Sequence, residues 1–124
     1  MTETPPAGVV LLVEDHPTIL RITRRMLERL GYRVIEAERG EAALAALGRA
    51  DPIDLVILDL GLPDISGEAV LVEMRRLRPD VRVIVSSGAS PGATGEGVAG
   101  LQPDGYLDKP YTLAHLRETL DRLG

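Results

Sequence analysis

The sequence predicts an α/β domain in which a doubly wound, five-stranded parallel sheet carries helices on both faces. Two observations lead there. Short runs of consecutive apolar residues recur along the chain, as in strands buried on both faces. Between them lie segments whose apolar residues repeat every three or four positions, with helix start and stop signals around them. Strands alternating with helices imply parallel strands joined by crossovers on both sides of one sheet.

Each element can be justified in turn. Residues 1–8, MTETPPAG, are polar and proline-rich without periodicity, which reads as a leader or linker ahead of one domain over 9–124. Val9–Val13 is apolar at every position and reads as the first strand. In Pro17–Leu30 the residues Ile19, Ile22, Met26 and Leu30 are spaced for one helix face, and Gly31 supplies the stop. Tyr32–Ala37 reads as a second strand and Glu41–Leu47 as an Ala/Leu helix ended by Gly48. Leu55–Leu58 is the third strand, and Ser66 caps a helix reaching Leu77 that Pro79 closes off. Val81–Val85 is the fourth strand and Gly105–Leu107 a short fifth. Thr112 caps a last helix with Leu113, Leu116, Leu120 and Leu123 on one face. Between the fourth and fifth strands, Gly92, Gly95, Gly97 and Gly100 fall where a helix is required. Each glycine inside a helix costs about 1 kcal/mol relative to alanine, so a short, frayed helix is expected there.

Composition narrows the function. With 124 residues and 44% hydrophobic content, the chain has material for one core and no room for a second domain. A formal charge of -5 opposes direct binding of nucleic acid, which needs an excess of Lys and Arg. Absence of cysteine excludes a disulfide framework, a thiolate nucleophile and zinc-finger spacing. No apolar run is long enough to span a membrane and no signal-peptide pattern opens the chain, so a soluble, cytoplasmic protein without membrane insertion is expected.

In open parallel sheets ligands bind beyond the C-terminal ends of the strands, where the strand order reverses. Glu14 and Asp15 follow the first strand, Asp59 the third, Ser86 and Ser87 the fourth, and Lys109 comes shortly after the fifth. Three carboxylates at one edge repel each other unless protonated or compensated by a cation, and Mg²⁺ suits them because it takes oxygen ligands from one or two carboxylates. Lys109 would add a second positive charge and Ser87 a hydrogen-bond donor, the parts that phosphoryl transfer uses. Lys109 is the single lysine beside 13 arginines, which reflects either base composition or a need for a compact ammonium charge at that position. Asp15 could instead start the first helix, and His16 reads as a helix-entry residue more readily than as a metal ligand. Tyr106 and Tyr111 flank Lys109 and are two of only three aromatic residues in the chain.

The segments VVLLVEDHP, LVILDLGLPDISG, VIVSSG and GYLDKPY together resemble the signature of response-regulator receiver domains of two-component systems, over residues 8–124. The resemblance implies a flavodoxin-like (βα)5 fold. It implies that Asp59 is the phospho-acceptor, that Glu14 and Asp15 are the acidic metal-binding pair, and that the Gly61 carbonyl completes a Mg²⁺ site with Asp59. Ser87 falls on the Ser/Thr switch position, Tyr106 on the rotating aromatic, and Lys109 on the lysine of the Lys-Pro motif.

Such a receiver takes its phosphoryl group from the phosphohistidine of a sensor kinase or phosphotransfer protein. It catalyses only its own phosphorylation and dephosphorylation, and it switches a surface for a downstream partner. The kinase is expected near the first helix, whose Ile and Arg residues form a mixed apolar and basic patch. Two enzyme-like alternatives fit less well. A haloacid-dehalogenase-like phosphatase needs a second Asp two residues after the nucleophile, where this chain has Gly61. A dinucleotide-binding module needs a glycine-rich turn after the first strand, which here runs into VEDHP. A receiver-like protein that only docks partners would not need the acidic site.

Overall fold

The computed structural model describes residues 8–48, 52–59, 64–87, 103–108 and 111–123. In chain order the elements are β1 (Gly8–Val13), α1 (Pro17–Arg29), β2 (Tyr32–Ala37), α2 (Gly40–Gly48), β3 (Leu55–Asp59), α3 (Gly67–Leu77), β4 (Arg82–Ser87), β5 (Gly105–Asp108) and α4 (Leu113–Leu123). The helix expected from the glycine-rich segment between β4 and β5 falls on residues 89–102, outside the described residues.

All five strands form one parallel sheet in the order β2-β1-β3-β4-β5. The order reverses at β1, which pairs with β2 on one side and β3 on the other. The crevice beyond β1 and β3 is therefore the switch point at which such sheets bind ligands. Leu55 to Leu58 are all buried, as their unbroken apolar run predicts for a central strand.

Alternation along the strands divides the core into two layers. Leu11, Val13, Val56, Leu58, Val83 and Val85 pack with Ala43, Ala46 and Leu47 of α2 and with Val70, Leu71 and Met74 of α3. Val10, Leu12, Leu55, Ile57, Ile84 and Leu107 pack with Leu20 and Leu27 of α1 and with Leu116 and Leu120 of α4. Helices thus cover both faces, as expected.

Local signals account for most element ends. Gly31 adopts the left-handed conformation with φ of 98° and ends α1. The Ser66 hydroxyl accepts from the Ala69 amide at 3.2 Å, and Thr112 accepts from the His115 amide at 3.1 Å, so both predicted caps form. Arg78 leaves helical geometry directly before Pro79.

One helix face differs in part from the sequence reading, although Met26 and Leu30 of the expected stripe do pack against the core. The buried positions of α1 are Leu20, Thr23 and Leu27, while Ile22 is 52% exposed. The Ile19, Ile22, Met26, Leu30 stripe and the Leu20, Thr23, Leu27 stripe have the same helical period about one position apart. A polar Thr in the second stripe hid it from a purely apolar pattern. Among the described residues, no helix is long and apolar enough to cross a membrane.

Candidate functional site

At the C-terminal edge of β1 and β3 three carboxylates converge. Glu14 leaves β1 with its amide donating to the Ala37 carbonyl at 3.0 Å, which extends the β1–β2 ladder by one bond. Its side chain is buried, and its Oε2 accepts from the His16 amide at 3.1 Å, so the carboxylate is held over the turn into α1. Asp15 is exposed, and Asp59, the last residue of β3, is 6% exposed. One carboxylate oxygen from each of Glu14, Asp15 and Asp59 lies within 4.8 Å of the others. Asp15 does not cap α1, because the N-cap is His16, whose own side chain makes no capping bond. His16 is thus the helix-entry residue that the sequence suggested.

The other expected participants are placed only in part. β4 brings the Ser87 backbone to the same edge, in register with Asp108, while the Ser87 side chain, Gly61 and Lys109 lie outside the described residues. Tyr106 sits in β5 opposite Val85 and is half-buried against the core layer beneath α2 and α3.

Two contacts escaped the sequence reading, and one residue it did name, Ser86, is placed inside β4 rather than after it. Asp64, after β3, accepts from the Gly40 amide through Oδ1 at 2.9 Å and from the Glu41 amide through Oδ2 at 3.1 Å, capping α2 from a distance in sequence. Thr23 and Tyr111 share a hydrogen bond at 3.0 Å. Ser86 is fully buried in register with Asp59. The sequence put Ser86 at this edge, directly after an apolar run; the other two depend on contacts between segments far apart in sequence.

Chemically, the cluster is a set of hard oxygen donors gathered at a switch point, two of the three residues being buried. Carboxylates this close raise each other's energy unless a positive charge is shared among them. A small divalent cation that prefers oxygen and keeps several waters, as Mg²⁺ does, fits such a donor set.

A family model described as response regulator receiver domain matches residues 10–121. Among curated proteins, the transcriptional regulatory protein KdpE of Mycobacterium tuberculosis is 40% identical over 118 residues, covering 92% of this chain and 51% of that protein. The sensor kinase CckA of Brucella abortus is 31% identical over 123 residues, covering 98% of this chain and 13% of that protein. The chain therefore spans about half, or much less, of the curated relatives described here. Among solved structures, the response regulator protein TrrA of Thermotoga maritima in complex with Mg²⁺–BeF superposes with a TM-score of 0.84 at 31% identity, covering 94% of this chain and 99% of that one.

Proposed function

This chain belongs to the response-regulator receiver family, and on that premise we propose that Asp59 is the side chain that accepts its phosphoryl group. The observation that carries the proposal is the meeting of Glu14, Asp15 and Asp59 at the edge of the sheet, their carboxylate oxygens within 4.8 Å. Asp59 is the member that terminates the central strand, at the edge of the switch-point crevice. A carboxylate in that position serves no packing purpose in a layer of Leu, Ile and Val, which supports a chemical role for it.

Asp15 and Asp59, with the Gly61 carbonyl, would hold Mg²⁺, and Glu14 would act mainly through water. When bound, the ion supplies positive charge to the phosphoryl oxygens. The chain's own residues do the rest. The Asp59 carboxylate attacks phosphorus of a phosphohistidine, its oxygen bonds to phosphorus as the nitrogen–phosphorus bond breaks, and the bonding pair stays on the imidazole. Lys109 and Ser87 each hold a phosphoryl oxygen. Pulling Ser87 inward makes room for Tyr106, which couples the site to the surface around β5 and α4.

The donor is a sensor histidine kinase or phosphotransfer protein, docked beside α1, where exposed Ile22 is flanked by exposed Arg21, Arg25 and Arg29. The chain works in the cytoplasm as a receiver whose only catalysis is its own phosphorylation and dephosphorylation, and it does not itself bind nucleic acid. The receiver is assigned to the chain from Gly8 onward, since Gly8 already pairs with Tyr32 in the sheet. The test is incubation with a small phosphodonor and Mg²⁺ followed by intact-mass analysis. One phosphoryl group, labile to base and hydroxylamine, is expected on the wild-type protein and none on Asp59→Asn. Uptake by Asp59→Asn at the wild-type rate would overturn the assignment.

A further inference from the structure

Ser86 sits in β4 at 1% exposure, and its hydroxyl has no hydrogen-bond partner among the described residues. A buried orphan hydroxyl carries a desolvation cost comparable to a lost hydrogen bond, so its surroundings call for an explanation. Those surroundings are specific. Ser86 pairs in register with Asp59 on β3 and with Leu107 on β5. Leu55, Ile57, Ile84 and Leu107 all belong to the core layer beneath α1 and α4. Alternation along the strands therefore puts Asp59, two residues after Ile57, and Ser86, two residues after Ile84, on that same face. Neighbouring strands lie about 4.8 Å apart, so the two side chains are lateral neighbours. A single χ1 rotation is all that separates a serine hydroxyl from a new partner.

We propose that Ser86 is a hydrogen-bond donor to the Asp59 carboxyl during loss of the phosphoryl group, and so a determinant of how long the phosphorylated state lasts. The inference rests on Asp59 being the acceptor. In hydrolysis the water oxygen bonds to phosphorus and the phosphorus–oxygen bond to Asp59 breaks. The bonding pair returns to the carboxylate, and the water's proton leaves with the released phosphate. Negative charge thus grows on the Asp59 oxygens as the bond breaks. A hydroxyl beside them binds the departing carboxylate more tightly than the neutral acyl group, which lowers the barrier selectively. The low-dielectric layer of Leu and Ile around the pair strengthens the effect.

The experiment loads the wild-type chain, Ser86→Ala and Ser86→Thr with a small phosphodonor and Mg²⁺, removes the donor, and follows the decay of the adduct by intact mass. Urea unfolding of the unloaded proteins runs alongside. Ser86→Ala is expected to hold the phosphoryl group about tenfold longer, the effect of one charge-assisted hydrogen bond. It should also unfold at an unchanged or higher midpoint, because it removes an unpartnered hydroxyl. Ser86→Thr, which keeps the hydroxyl, is expected to restore the wild-type decay rate. Wild-type or faster decay in Ser86→Ala overturns the proposal. So does slow decay shared by the Ala and Thr variants, which would make side-chain shape the cause. Lower stability of Ser86→Ala with unchanged decay would assign the hydroxyl to a buried water instead. If the wild-type chain takes no adduct, or Asp59→Asn takes one, it is the acceptor reading that fails.

Discussion

The hydroxyl of Thr23, buried in the middle of α1, lies 3.0 Å from the phenol oxygen of Tyr111 at the entrance to α4, across 88 positions of sequence. This bond ties together the two helices that cover one face of the sheet, and Tyr111 is two residues beyond Lys109. Tyr111→Phe keeps the ring but strands the Thr23 hydroxyl in the core, which is expected to destabilise the fold by about 1–3 kcal/mol. Adding Thr23→Val removes the stranded group, so the double variant should be more stable than the sum of the single losses predicts. Urea unfolding of the four proteins measures the coupling, and strict additivity would show that the bond contributes nothing.

Gly40 opens α2 where the helix is pressed against α3. A Cβ added there would stand 2.7 Å from Cγ2 of Val70 and 3.2 Å from Cβ of Ile65. Val70 is fully buried and cannot swing away. Gly40→Ala is therefore expected to destabilise by about 1–3 kcal/mol, although alanine is the better helix former. Val70→Ala should relieve the clash, so the pair is less harmful together than the two losses added. A Gly40→Ala protein as stable as the wild type would mean that α2 shifts freely on α3.

Asp64 holds the first turn of α2 through the Glu41 and Gly40 amides, and these bonds, the Glu41 amide foremost, draw its pKa below the ordinary carboxylate value. A group whose folded pKa is depressed adds stability that is complete above the unfolded value, about 4, and is lost as pH falls through the lower folded value. The effect is small, since the carboxylate is exposed. Asp64→Asn is expected to flatten the fall in unfolding midpoint as pH drops below about 4, relative to the wild type. Parallel curves for the two proteins would show that the cap is not charge-dependent.

Sequence and structure diverge where a partner is remote. The strands were legible because β1, β3 and β4 are buried on both faces and so are apolar at consecutive positions. The ends of α1, α3 and α4 were legible because Gly31, Ser66 and Thr112 act on backbone groups only a few residues away. Asp59 stood out as a carboxylate closing an apolar run. Of the apolar stripe on α1, Met26 and Leu30 pack on the core while Ile22 does not; Thr23 was missed because its burial depends on Tyr111, and no local pattern contains that contact. The Asp64 cap and the tight fit at Gly40 likewise join segments that meet only after folding.

The acidic cluster makes a prediction that needs no phosphodonor. Glu14 and Asp59 are buried and Asp15 exposed, with their oxygens within 4.8 Å, so the folded chain concentrates negative charge that the unfolded chain disperses. An ion that binds the folded cluster alone stabilises it by RT ln(1 + [L]/Kd), about 1.4 kcal/mol at ten times Kd. The urea midpoint of the wild-type chain should therefore climb with added Mg²⁺ and keep climbing logarithmically, while NaCl at matched ionic strength has a much smaller effect. Asp15→Asn removes one donor from the exposed side of the cluster. Without Mg²⁺ it should unfold at a higher midpoint than the wild type, because one of three mutually repelling charges is gone, and it should need at least tenfold more Mg²⁺ for the same further gain. Equal responses of the two proteins to Mg²⁺ would exclude Asp15 from the site, and a midpoint indifferent to Mg²⁺ in both would leave the cluster without a role in holding the ion.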